Sequence, residues 1–141
     1  MKFYLTTSER ETFLIGKALG EKLRGGEIIL LEGELGAGKT VFTKGLATAL
    51  SISDEIKSPT FTYMISYEGK DLKLYHFDAY RLSDGVEAEE RGLTEYFGQK
   101  DGVCVVEWPQ NIKSCFEWLK VIRVKINYTD ENSREIIVDD E

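Results

Sequence analysis

The chain has 141 residues, enough to bury about two-thirds of its unfolded surface, so residues 1–141 are read as a single domain. Lysine and arginine number 18 against 25 aspartates and glutamates, and the net charge of −7 excludes the broad basic footprint of a protein that coats nucleic acid. One histidine and two cysteines outside any C-x-x-C spacing exclude a Cys/His zinc site, and the absence of a signal-peptide core or a bilayer-length apolar run predicts a cytoplasmic protein with no membrane partner.

In chain order, Phe3 to Leu5 predicts a short strand, and Ser8-x-x-Glu11 predicts a capping box that opens a helix running to about Arg24. Leu14, Ala18, Leu19 and Leu23 give that helix its inner stripe, and Gly25-Gly26 stops it. Glu27 to Glu32 reads as a buried strand. The next eight residues are Gly33-Glu34-Leu35-Gly36-Ala37-Gly38-Lys39-Thr40, a match to the phosphate-binding pattern G-x-x-x-x-G-K-[ST]. Val41, Phe42, Leu46, Ala47, Ala49 and Leu50 then form the apolar face of a following helix, so strand, loop and helix come in the order such a loop requires.

Ser58-Pro59-Thr60 holds an extended bend. Phe61 to Tyr67 and Leu72 to Asp78 alternate about a Glu68-Gly69-Lys70-Asp71 turn, which predicts an antiparallel hairpin. From Ser83 to about Phe97 the chain is acidic and weakly helical. Val103 to Val106 is continuously apolar, as in a strand covered on both faces, and it ends in Glu107-Trp108-Pro109. Ile112, Cys115, Phe116 and Leu119 have helical spacing, and Val121 to Tyr128 with Ser133 to Val138 predicts a closing hairpin. The fold class is α/β: a three-layer P-loop NTPase-like fold with a mixed parallel/antiparallel sheet.

The chemistry follows from the loop. A polyphosphate needs backbone N–H groups turned inward, which the glycines permit, while Lys39 supplies a point charge to the β- and γ-phosphates and Thr40 a hydroxyl for Mg²⁺. The bland alternative is a glycine-rich turn with Lys39 merely solvated. Ligands in such folds collect at the carboxyl ends of strands, where two acids stand. Glu107 can hold Mg²⁺ or orient the attacking water; Asp78 can do the same, or form a local ion pair with Arg81 that only shapes a turn. Thr60 either meets the γ-phosphate or is an ordinary loop threonine, Trp108 either stacks beside the site or packs in the core, and His76 reads as a core or rim histidine rather than a ligand.

Gly33 to Thr40, Ser58-Pro59-Thr60-Phe61, His76-Phe77-Asp78-Ala79-Tyr80-Arg81-Leu82 and Val106-Glu107-Trp108-Pro109, in that order, resemble the TsaE (YjeE) family from about residue 3 to residue 138. The resemblance implies a small bacterial ATPase required for threonylcarbamoylation of adenosine 37 in tRNAs that read ANN codons. It implies ATP or ADP as the bound nucleotide, Mg²⁺ as the cofactor, and Lys39, Asp78 and Glu107 as the catalytic set, with Thr40, Asp78 and Glu107 around the metal. Gly33 through Val41, Thr60 and Trp108 would border the nucleotide, with Glu9 and Arg134 as further contacts. The partners it implies are TsaB and TsaD, TsaD carrying out the transfer; direct tRNA contact is left open. Where many members carry Gly-Asp and a second threonine, this chain has Gly33-Glu34 and Val41, which keeps the charge but removes a hydroxyl.

Two other classes compete. A small-molecule kinase would use the same loop but needs a cationic lid, and the arginines at positions 10, 24, 81, 91, 123 and 134 are scattered. A nucleotide-gated binding module would treat hydrolysis as incidental. A GTPase would carry N-K-x-D, which Asn111-Ile112-Lys113-Ser114 does not supply.

Overall fold

A computed structural model describes residues 1–34 and 36–140. Among these, seven strands form one sheet: β1 (Lys2–Thr6), β2 (Ile28–Glu32), β3 (Met64–Tyr67), β4 (Lys73–Asp78), β5 (Gly102–Glu107), β6 (Ile122–Tyr128) and β7 (Arg134–Asp139), in the spatial order β1-β7-β6-β2-β5-β4-β3. The central ladder β6-β2-β5-β4 is parallel, while β7 and β3 run against it, so the sheet is mixed, as the two hairpin patterns predict. All six residues of β5 are buried, the expected consequence of an apolar run flanked by strands and covered above and below.

Two helices lie on one face: α1 (Glu9–Gly20) and α2 (Lys39–Ala49). Leu19, Phe42 and Leu46 pack there with Ile29, Leu31, Val105 and Val124. On the other face the short helix α3 (Gly85–Glu90) and 3₁₀ turns over Leu93–Tyr96 and Pro109–Phe116 cover Ile28, Leu30, Tyr75, Phe77 and Val106. The second layer reaches only the central strands. Over β6, which keeps Val124 and Ile126 inside, Arg123 and Lys125 stand in solvent, so alternation there is a one-sided strand's signature.

Several local expectations are corrected. The helix predicted to reach Arg24 ends at Gly20, and Leu14 and Ala18 face solvent; the buried face is Thr12, Gly16, Leu19 and Gly20. Small residues replace the expected aliphatic stripe because α1 crosses α2 at backbone contact. Ser8 caps the helix by accepting from Glu11 N, but the Glu11 carboxylate reaches back to the amide of Thr7 rather than to that of Ser8. The strand predicted from Phe61 begins only at Met64: Thr62 N closes a turn on Pro59 O, and Tyr63 adopts a left-handed backbone with φ of 65°. The segment predicted to be helical through Leu119 is a 3₁₀ turn broken at Ile112, and Leu119 is exposed.

Candidate functional site

Glycines bend the loop, as expected, at Gly36 (φ 81°) and Gly38 (φ 105°), and α2 starts immediately after with Lys39. Gly33, also predicted to supply backbone freedom, is needed for another reason: a Cβ there would lie 2.8 Å from the carbonyl oxygen of Ile126 on the neighbouring strand. Glu34 is exposed and Ala37 buried, and Leu35 lies outside the described residues. Beside the loop opens a cleft of about 680 Å³.

Two parallel strands deliver the acids. Asp78 and Glu107 are register partners at the carboxyl ends of β4 and β5, so their side chains share one face of the sheet, the face carrying α2 and Lys39. The Glu107 carboxylate is divided between two neighbours: Oε2 accepts from His76 Nε2 at 2.6 Å, and Oε1 stands 3.6 Å from Lys39 Nζ. Burial pushes this carboxyl's pKa up, but the hydrogen bond and charge of His76 and the Lys39 ammonium outweigh that and hold it below the usual glutamate range.

Asp78 is not held by Arg81. Its Oδ2 accepts from the Thr60 hydroxyl at 3.1 Å and its Oδ1 from the Tyr80 amide at 2.9 Å, while Ser58 and Thr60 share a hydroxyl contact of 2.7 Å. Arg81 instead donates to the Thr60 carbonyl and lies over the rings of Phe61 and Tyr63. The Ser58–Pro59–Thr60 bend is thereby drawn over Asp78, which is why the β segment cannot start at Phe61.

Trp108 occupies the left-handed region (φ 56°, ψ 45°), a conformation that costs a non-glycine residue about 1–2 kcal/mol. Pro109 follows at the start of the 3₁₀ turn and the indole is thrown over the cleft, with the Lys39 ammonium 4.5 Å from its centroid and Tyr80 packed edge-on at 5.0 Å. The side chain thus does both: it borders the cleft and is partly buried against the core that holds Phe77, Val106 and Ile112.

The model of a family described as threonylcarbamoyl adenosine biosynthesis protein TsaE matches residues 6–136. The chain belongs to the TsaE family. It is 42% identical over 132 residues to the tRNA threonylcarbamoyladenosine biosynthesis protein TsaE of Bacillus subtilis, covering 93% of this chain and 80% of that protein. The corresponding protein of Treponema pallidum is 38% identical over 135 residues, covering 95% and 97%. The crystal structure of Bacillus subtilis YdiB superposes with a TM-score of 0.83 at 34% identity, covering 99% of this chain and 86% of that one.

In this TsaE-family chain the cleft is bordered by Gly36, Gly38, Lys39, Thr40, Val41, Thr60, Asp78, Glu107 and Trp108, together with Glu9 from α1 and Arg134 from β7. Gly33, Glu34 and Ala37 shape the loop without bordering the cleft. Arg134 acts on the loop itself, donating to the carbonyls of Ala37 at 2.9 Å and Gly36 at 3.3 Å. No cluster of three or more His, Cys, Asp or Glu side chains able to hold a metal occurs among the described residues. Thr40, Asp78 and Glu107, which border the cleft together, are the side chains that could help to hold a metal carried in by a phosphate ligand. His76 is the core histidine that its position predicts rather than a ligand; what sequence reasoning missed is its hydrogen bond to Glu107. The available signal was its spacing: two residues before Asp78 on one strand, it must share that acid's face.

Proposed function

We propose that the chain is a Mg²⁺-dependent ATPase whose turnover serves formation of threonylcarbamoyladenosine on tRNA, in the cytoplasm, together with a TsaB–TsaD pair. The observation that carries this reading is the convergence of Lys39, Thr40, Asp78 and Glu107 on one cleft at the carboxyl ends of β2, β4 and β5. Family membership supplies the pathway.

Lys39 leads α2, so its ammonium and the positive end of that helix act together on the phosphates. Thr40, Asp78 and Glu107 would hold a Mg²⁺ ion, which would supply charge neutralisation at the phosphates. Glu107 and Asp78 orient a water for in-line attack on the γ-phosphorus; the new P–O bond forms as the bond to the ADP oxygen breaks, and the water's proton passes to a carboxylate oxygen. Unaided turnover is slow in this reading. Arg134 is committed to loop carbonyls and Arg81 to the Thr60 carbonyl, and a missing arginine finger costs roughly 10³–10⁵ in rate. A partner that supplies a cation or reshapes the Thr60 bend would couple hydrolysis to assembly.

Isothermal titration with MgADP is expected to give saturable binding that Lys39→Ala abolishes. Glu107→Gln is expected to keep binding and lose phosphate release. Co-elution with a TsaB–TsaD pair on a sizing column in the presence of ATP tests the partnership. Unchanged affinity in Lys39→Ala overturns the nucleotide site, normal turnover in Glu107→Gln overturns the role of that acid, and no complex in any nucleotide state overturns the coupling.

A further inference from the structure

We propose that His76 is the positioning residue of Glu107: by donating from Nε2 to Oε2 it fixes the carboxylate with Oε1 turned to the cleft. The kinetic arm of this inference rests on the ATPase reading above; the geometric arm does not.

His76 is 1% exposed and sits on β4 opposite Val105, on the face where Leu74, Val103 and Phe42 belong to one apolar core. It does not border the cleft, so it acts through another residue. Its Nε2 lies 2.6 Å from Glu107 Oε2, whereas Nδ1 has no hydrogen-bond partner among the described residues. A carboxylate oxygen accepts, so Nε2 carries the hydrogen. A side chain selected for packing alone would be aliphatic at this place, since a ring with one orphaned buried nitrogen is a cost with no packing return. What the histidine adds is the hold on Glu107.

That hold decides how the acid is presented. The terminal torsion of a glutamate is broad and nearly two-fold, so an untethered carboxylate exchanges its oxygens freely. Lys39 Nζ is already 3.6 Å from Oε1, and with Oε2 released the carboxylate would swing to chelate the ammonium with both oxygens. Lys39 and Glu107 would then neutralise one another instead of facing phosphate and water. His76 keeps one oxygen out of that pair.

The test compares His76→Phe, which keeps a ring without a donor, with His76→Gln, which restores an N–H. His76→Phe is expected to lower kcat for ATP hydrolysis about 10–100-fold with KM for MgATP within about threefold, and His76→Gln to recover most of the loss. An unchanged kcat in His76→Phe, or a loss that His76→Gln does not recover, overturns the proposal. Independently of turnover and of whether His76→Phe folds, ¹⁵N NMR of the wild-type chain should show a hydrogen on Nε2 whose shift moves in Glu107→Gln. A hydrogen on Nδ1 alone, or an Nε2 signal indifferent to that substitution, overturns it. Absence of turnover in the wild type would defeat the ATPase reading, and the NMR arm would still decide the positioning role.

Discussion

Arg134 Nε donates to the carbonyl of Ala37 at 2.9 Å across 97 residues of chain, so the first residue of the last strand fastens the glycine-rich loop ahead of α2. The guanidinium uses its whole fork: Nη2 reaches Gly36 O, and Nη1 reaches the carbonyls of Asp130 and Ser133 at 2.8 Å, with the Tyr128 ring beneath it. In a trans peptide the C=O and the following N–H point opposite ways, so holding the Ala37 carbonyl turns the Gly38 amide away from the arginine. The closing hairpin thus helps to shape a loop built a hundred residues earlier.

Arg134→Ala should therefore weaken MgADP binding about tenfold in isothermal titration while the chain stays folded by circular dichroism. Hydrogen bonds from a charged donor are worth about 1.5–3 kcal/mol, and the partial exposure here argues for the low end. Arg134→Lys should be nearly as weak, since one ammonium cannot span carbonyls on both the loop and the turn. Affinity equal to wild type in both variants would show that the loop holds its shape unaided.

The Lys39 ammonium over the Trp108 ring gives the site an optical reporter. Trp118 is 93% exposed and would mask it, so the measurement uses Trp118→Phe, in which Trp108 is the only indole left. Phosphate drawing the ammonium off the ring removes a contact worth about 0.5–2 kcal/mol and should change Trp108 emission on titration with MgADP, with a midpoint equal to the calorimetric Kd. Lys39→Ala should abolish the response. Emission that ignores nucleotide at saturating concentration would separate Trp108 from the binding event.

How much of this was legible in the sequence depends on what kind of force placed each residue. The loop and Glu107 could be read because their placement is local: glycine spacing sets the bend, and an acid at the end of a six-residue buried strand must stand at the strand's carboxyl edge. The sheet's mixed direction could be read from hairpin turns. What the sequence hid was pairing between distant segments. Nothing local says that Thr60 rather than Arg81 will reach Asp78, that His76 will find Glu107 across a parallel ladder, or that β7 will lend Arg134 to the loop. The stripe of α1 misled for the same reason: Leu14 was counted inside because it is apolar, whereas Gly16 and Gly20 face α2 because only small residues allow that approach.

The turn that presents Arg134 is itself held by a charge. Asp130 Oδ1 accepts from the amides of Asn132 and Ser133 at 3.0 and 2.9 Å, and these bonds, the Asn132 amide first, hold its carboxyl below the usual aspartate range. A carboxyl whose folded value is depressed stabilises the fold above its unfolded pKa of about 3.9 and loses that contribution as pH falls through the folded value. NMR titration should place the Asp130 midpoint below that of an unstructured aspartate, and acidification through that midpoint should broaden the amides of residues 130–134 before the central strands respond. A midpoint at or above the unstructured value would mean that the carboxylate does not hold the turn.

Gly16→Ala tests the crossing of α1 and α2. The added methyl would overlap the Phe42 carbonyl oxygen and stand 3.2 Å from the Phe42 Cα, in a place where only backbone could yield. Two effects oppose each other. Alanine favours the helix by about 1 kcal/mol, whereas forcing a methyl into a closed contact costs about 1–3 kcal/mol, and contact with backbone on both sides argues for the upper end. The net expectation is a loss of about 1–2 kcal/mol in chemical denaturation and a Tm lower by about 3–8 °C. Leu14→Ala, on the exposed side of the same helix, should stay within about 0.5 kcal/mol of wild type. Because α2 begins at Lys39, a helix pushed off α1 should also bind nucleotide less well, so Gly16→Ala is expected to lose both stability and MgADP affinity while Leu14→Ala keeps both. A Gly16→Ala chain as stable as wild type would show that the two helices part without cost and that the crossing does not set the position of the phosphate loop.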